Sequence, residues 1–152
     1  MARTRWLSEP ERQAWRNLSL MQLQLHALLG RELTGDGLSY QDYLVLASLS
    51  DRPDNQARLT DIGRELGWEK SRVSHHITRM ESRSLVQRVK CPTDQRGWFV
   101  MMTDNGRASI EAAAPAHVAA VRRHFIDLLT PQQLGTLDEI ARTVLEHLPS
   151  DD

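Results

Sequence analysis

The sequence predicts a mainly α-helical fold carrying one small β-hairpin. Three observations lead there. Apolar residues recur every third or fourth position near both ends of the chain, two short amphipathic segments meet at a glycine in the middle, and two runs of bulky or β-branched residues flank a turn-rich stretch.

Ser8-Glu9-Pro10-Glu11 reads as a capping box with proline in the first turn. Trp15, Leu18, Met21, Leu25, Leu28, Leu29 and Leu33 then follow helical spacing, so one long amphipathic helix is predicted from Ser8 to Leu33. Thr34-Gly35-Asp36-Gly37 stops it. Ser39, with Asp42 three residues on, caps a second helix whose nearly continuous apolar run from Tyr43 to Leu49 suggests burial on most sides. Asp51 to Gln56 reads as a loop. A short helix follows, with Leu59, Ile62 and Leu66 on one face, Thr60 as its expected N-cap and Gly67 at its end. Ser71 to about Ser84 forms the next helix, with Val73, Ile77 and Met80 facing inward. Leu85–Cys91 and Trp98–Met102 are the hairpin strands. From Thr103 a helical pattern runs to Leu128, interrupted by Pro115, where a bend or split is expected. Thr130-Pro131-Gln132-Gln133 is another capping box, opening a final helix with Leu134, Leu137, Ile140, Ala141, Val144 and Leu148 in one stripe.

Two short helices joined by a tight turn and followed by a hairpin make a winged helix-turn-helix, here flanked by long terminal helices. Those terminal helices carry more apolar surface than the small central module covers, so each is expected to pack on the other and on a second subunit. The predicted organisation is an N-terminal dimerisation helix over 1–35, a DNA-binding module over 36–106, and C-terminal dimerisation helices over 107–152.

The 152 residues, 40% hydrophobic and 26% charged, describe an ordinary folded chain rather than a disordered one. No apolar run reaches the roughly 20 residues of a membrane span, and no signal-like segment opens the sequence, so a cytoplasmic location is expected. Cys91 is the single cysteine, which excludes an intrachain disulfide and favours a structural role for it. The net charge is −1, yet residues 58–107 hold ten Lys or Arg against six acids. A basic centre in an acidic frame suits a module that faces phosphate.

The second short helix can be tested for this at about 100° per residue. With Val73, Ile77 and Met80 inward, Ser71, Arg72, His75, Thr78 and Arg79 fall on the opposite arc, Ser74 at the side and His76 nearer the buried face. Short hydroxyls, a histidine and two arginines form a surface able to approach base edges and phosphates in a major groove, which accepts one helix. Lys70 stands at the helix N-terminus, where phosphate is favoured. Arg88 and Lys90 alternate onto one strand face and are expected to meet the DNA backbone. Arg96, beside Gly97 at the hairpin tip, can enter a narrow minor groove or pair with Asp94.

The run from Leu59 to Gly106 resembles the core of a MarR-family transcription regulator. Leu59-Thr60, Val73-Ser74, Ile77, Arg79-Met80-Glu81, Leu85-Val86, Arg88, Pro92, Asp94, Arg96, Thr103 and Gly106 carry the likeness. The resemblance implies a triangular homodimer, held by its N- and C-terminal helices, acting on double-stranded DNA at a pseudo-palindromic operator. It also implies a wing arginine in the minor groove and release, in the manner of a repressor, by a small aromatic effector. Three departures stand out: Ser84 in place of a glycine expected to be left-handed, His75 where arginine is common, and Gly63 in place of alanine.

Trp15, Tyr40 and Tyr43 are the expected lining of an effector cavity, although such residues also suit a core or a subunit contact. His75, His76, His117 and His124 lack ligand spacing and acidic partners, so neither a metal nor any other cofactor is expected. No nucleophile elbow, P-loop or dinucleotide turn occurs, and an enzyme is not expected. Two other readings fit the same pattern: a winged-helix protein-interaction module, and a DNA-bound factor without ligand control.

Overall fold

The computed structural model describes residues 4–93 and 97–149. Its elements are α1 (Glu9–Leu33), α2 (Tyr40–Ser50), β1 (Gln56–Arg58), α3 (Leu59–Leu66), α4 (Lys70–Ser82), β2 (Val86–Lys90), β3 (Trp98–Met102), α5 (Asp104–His124) and α6 (Pro131–His147), with short 3₁₀ turns at Thr34–Asp36 and Ile126–Leu128. Among the described residues no helix is long and apolar enough to cross a membrane.

Ser8, Ser39 and Thr130 each close a reciprocal capping box, so the boundaries of α1, α2 and α6 follow from local hydrogen bonding. The start of α3 does not follow the expectation. Its N-cap is Arg58, without a side-chain cap, and Thr60 lies inside the first turn, because extended backbone at Arg58 carries the chain directly out of β1. β1 itself lies where a loop was expected. It pairs antiparallel with β3, Ala57 opposite Val100, giving a three-stranded sheet in the order β1-β3-β2. In the hairpin, Val86 faces Met102 and Lys90 faces Trp98.

α4 begins one residue earlier and ends two earlier than expected. Ser84 stops it by adopting φ +59°, the left-handed conformation foreseen at this position. α5 is one helix through Pro115, so the chain is not split there. Pro115 and Glu111 are both exposed, so the carbonyl deprived of its donor meets water. The break comes instead at Phe125, whose φ −143° and ψ −66° leave the helical region before the 3₁₀ turn.

The core gathers Leu33, Leu38, Val45, Leu46, Leu49, Ile62, Val73, Ile77, Met80, Val86, Val100 and Ile110. It therefore joins α2, α3, α4 and the sheet to the first turns of α5, so the boundary drawn after residue 106 falls within a helix. Gly106 makes this junction possible: a Cβ there would stand 2.0 Å from the Leu85 carbonyl oxygen. The long helices leave another surface uncovered. α6 buries none of its residues, and Trp15, Ile140, Val144 and Leu145 are all more than half exposed.

Candidate nucleic-acid interface

α4 is amphipathic, and its two faces fall as its sequence predicts. Val73, Ile77 and Met80 are buried, while Lys70, Ser71, Arg72, Ser74, His75, Thr78 and Arg79 are exposed. The helix is held from below by this apolar row and at its N-terminal end by the turn after α3. That turn requires Gly67 at φ +65° and brings the Trp68 carbonyl close to Gly63, where a Cβ would meet it at 3.0 Å. Glycine at position 63 thus lets α3 and the turn approach, which gives the departure from alanine a packing role.

The outward side chains are partly ordered. Arg72 lies over the Trp68 ring at 4.6 Å from its centroid, a cation–π contact that leaves the guanidinium edge free to donate. Thr78 donates its hydroxyl to the Ser74 carbonyl at 3.0 Å. Arg79 donates from Nη2 to Nδ1 of His76 at 3.0 Å. Beneath these lies a polar cluster that sequence reasoning missed. Asp42, 2% exposed, accepts from the Ser39 backbone N–H at 2.9 Å and from Arg83 Nη1 at 2.6 Å. His76 Nε2 stands 3.0 Å from Asp42 Oδ1, tilted off a straight hydrogen bond. Burial alone would raise the Asp42 pKa; the close His76 Nε2, hydrogen bonds from Arg83 and Ser39, and the Arg83 charge overturn this and hold it well below the ordinary carboxylate range. Arg83 also donates to the Gly37 carbonyl at 2.5 Å, tying the turn before α2 to the end of α4. The groove above this cluster, about 700 Å³, is lined by Gln41, Arg72, His75, Arg79 and Arg83 among others.

One wing expectation needs adjustment. Arg88 is occupied inside the fold: it pairs with Glu81 and donates to the carbonyl and hydroxyl of Ser74 at 2.6 and 3.2 Å, with only 19% of its side chain exposed. It braces β2 against α4 instead of facing outward. Lys90 is exposed at the end of β2. Asp94 and Arg96 lie outside the described residues.

The expected effector residues separate. Tyr40 and Tyr43 of α2 are half-buried around His117 of α5, with ring centroids 6.4 and 4.2 Å from it, and His26 of α1 lies 5.1 Å from Tyr40. Burial raises both tyrosine pKa values and lowers that of His117, whose Nδ1 is buried without a partner among the described residues. Trp15, 64% exposed, sits eleven residues before His26 on α1, about 16 Å away by helical rise, and does not join them. His26 and His117 were missed because only the folded chain brings α1, α2 and α5 together. Among the described residues no group of three or more His, Cys, Asp or Glu could hold a metal ion.

An exposed, cationic second helix, a preceding helix at a glycine turn and a trailing hairpin define a winged helix-turn-helix. Comparison with known proteins narrows this further. The MarR family pattern matches residues 36–97. The structure resembles AbsC, a MarR family transcriptional regulator from Streptomyces coelicolor, with 42% identity, TM-score 0.88 and coverage of 95% of this chain and 97% of that one. It also resembles Sco3205, a MarR family transcriptional regulator from the same organism in complex with DNA, with 36% identity, TM-score 0.91 and coverage of 98% and 94%. The chain belongs to the MarR family. A curated relative, the uncharacterized HTH-type transcriptional regulator YdgJ of Bacillus subtilis (strain 168), is 24% identical over 102 residues, spanning 67% of this chain but only 62% of its own length.

Proposed function

We propose that the protein binds duplex DNA as a homodimer and regulates transcription, with α4 of each subunit in a major groove. The observation that carries this is the open face of α4, where Ser71, Arg72, Ser74, His75, Thr78 and Arg79 are all exposed beside Lys70. Sco3205, which shares the fold at 36% identity, was crystallised with DNA, which supports the same use of this face. Lys90 and Arg96 extend the contact along the wing, whereas Arg88 is left out because Glu81 and Ser74 engage it.

Dimerisation is assigned to residues 1–35 and 107–152, and DNA contact to 36–106. The apolar row left open on α6, Ile140, Val144 and Leu148, and the exposed Leu18 and Met21 of α1 support this. Two α4 helices about 34 Å apart then read successive major grooves. A small aromatic ligand at Tyr40, Tyr43 and His117 would bias that spacing, since these residues join the dimerisation helices to the DNA-contacting module.

The test is titration of random-sequence duplex at low and moderate salt, followed by selection of preferred sites. Binding that weakens steeply with salt, and a selected site with two-fold symmetry, are expected. Absence of binding at low salt would overturn the reading and favour a protein-interaction module. Salicylate-like aromatics titrated against the selected complex test the effector, and no response to any of them removes that part.

A further inference from the structure

The buried cluster behind α4 bears directly on its exposed face. Among the inward residues of α4, Val73, Ile77 and Met80 are apolar, and His76 alone is polar, at 6% exposure. Packing gives no reason for an imidazole there, because burying a polar ring is unfavourable unless its nitrogens are paired. One of its nitrogens is paired with Arg79, and the other stands close to Asp42 although out of line for a hydrogen bond. A guanidinium can only donate, so Nδ1 accepts from Arg79 at 3.0 Å. The ring proton of the neutral imidazole then sits on Nε2, the nitrogen 3.0 Å from the Asp42 carboxylate. Asp42 is fixed in turn by the Ser39 N–H and by Arg83. On its other side, His76 meets Trp68 edge to face at 5.3 Å, and Arg72 lies on that same indole.

We propose that His76 is a positioning residue for DNA contact. It fixes the Arg79 guanidinium directly and, through Trp68, supports that of Arg72. This rests on the reading of α4 as the DNA-contacting helix. An arginine free to sample its rotamers must be ordered when it meets DNA; one already fastened to a buried imidazole, itself backed by Asp42, loses less freedom on binding.

The experiment measures affinity for a duplex selected from a random pool by the wild-type protein, using His76→Leu, His76→Gln, Arg79→Ala and the His76→Leu/Arg79→Ala pair. Leucine fills the site without offering an acceptor, and binding is expected to weaken about three- to tenfold. Glutamine, which can accept from Arg79 and donate towards Asp42, restores most of the affinity. In the Arg79→Ala background His76→Leu costs distinctly less than in the wild type, only its support of Arg72 through Trp68 remaining, the outcome that separates positioning from general stabilisation. Wild-type affinity in a folded His76→Leu variant, or an equal loss with and without Arg79, overturns the proposal. A wild-type protein that binds no duplex, or an Arg79→Ala variant that binds as well as wild type, overturns instead the reading on which it rests. Imidazole ¹⁵N shifts of the wild-type protein provide a measurement independent of any variant's folding: a neutral ring protonated at Nε2 is expected, and protonation at Nδ1 overturns the proposal.

Discussion

Asp42→Asn isolates the charge at the centre of the buried cluster while leaving its shape unchanged. The carboxylate of Asp42 receives the Ser39 N–H and Arg83 Nη1 on one oxygen and faces His76 Nε2 with the other. An asparagine amide replaces one of those oxygens with an NH₂ group, so whichever way it turns, a donor confronts a donor. Breaking a fully buried ion pair costs about 3–5 kcal/mol. Arg83 is 43% exposed and recovers water when released, so a loss of about 2–3 kcal/mol is expected. Denaturant titration reads it as a lower midpoint with an unchanged slope. The pH dependence fixes the cause. Because the folded Asp42 pKa is depressed, its stabilisation is complete above the unfolded value near 4 and is lost as pH falls from there towards the folded value. The gap between wild type and Asp42→Asn should therefore narrow below about pH 4, by at most about 1.4 kcal/mol per pH unit. A gap that stays constant between about pH 6 and pH 3 refutes the charge-based account.

Three further outcomes follow from the same structure. Gly106→Ala should lower stability by several kcal/mol, about 3 or more on the scale of severe overpacking, since its Cβ would lie 2.0 Å from the Leu85 carbonyl oxygen; thermal unfolding checks this, and a wild-type midpoint contradicts it. Ser84→Gly should raise stability by about 1 kcal/mol, because Ser84 sits at φ +59°; an unchanged or lower denaturant midpoint counts against strain at that residue. Ile140→Asp places a charge in the open apolar row of α6 and should shift the protein towards monomer in sedimentation velocity, whereas an unaltered dimer would show that α6 is not at the interface.

Much of the fold was readable because its signals are local. Ser8, Ser39 and Thr130 announce their helices through residues three positions away, and the inward row of Val73, Ile77 and Met80 fixes by subtraction which side chains of α4 face outward. What escaped depends on distant partners. β1 is three residues long with Ala57 alone fully buried, and it is a strand because β3 offers it hydrogen bonds. Arg88 alternates along β2 as a phosphate-facing residue would, but Glu81 at the end of α4 claims it. Asp42 looks like an ordinary third residue of a capping box, and it does close one, yet Arg83, forty-one positions later, makes it the centre of a buried network. Tyr40 and Tyr43 were identified without His117, since only the packing of α5 on α2 brings that imidazole between them.

None of the seventeen residues of α6 is fully buried, and only Leu134 and Leu137 are partly covered, so the helix lends little to the interior of its own chain. In the proposed assembly its order is borrowed from the neighbouring subunit, so the ordering of α6 is coupled to association and governed by mass action. The melting temperature then rises with protein concentration, and dilution erodes α6 before it reaches the core around Ile62 and Val100. Abundance in the cell would thus set how much of the protein exists in the form able to span two grooves, a control on activity that operates without any ligand.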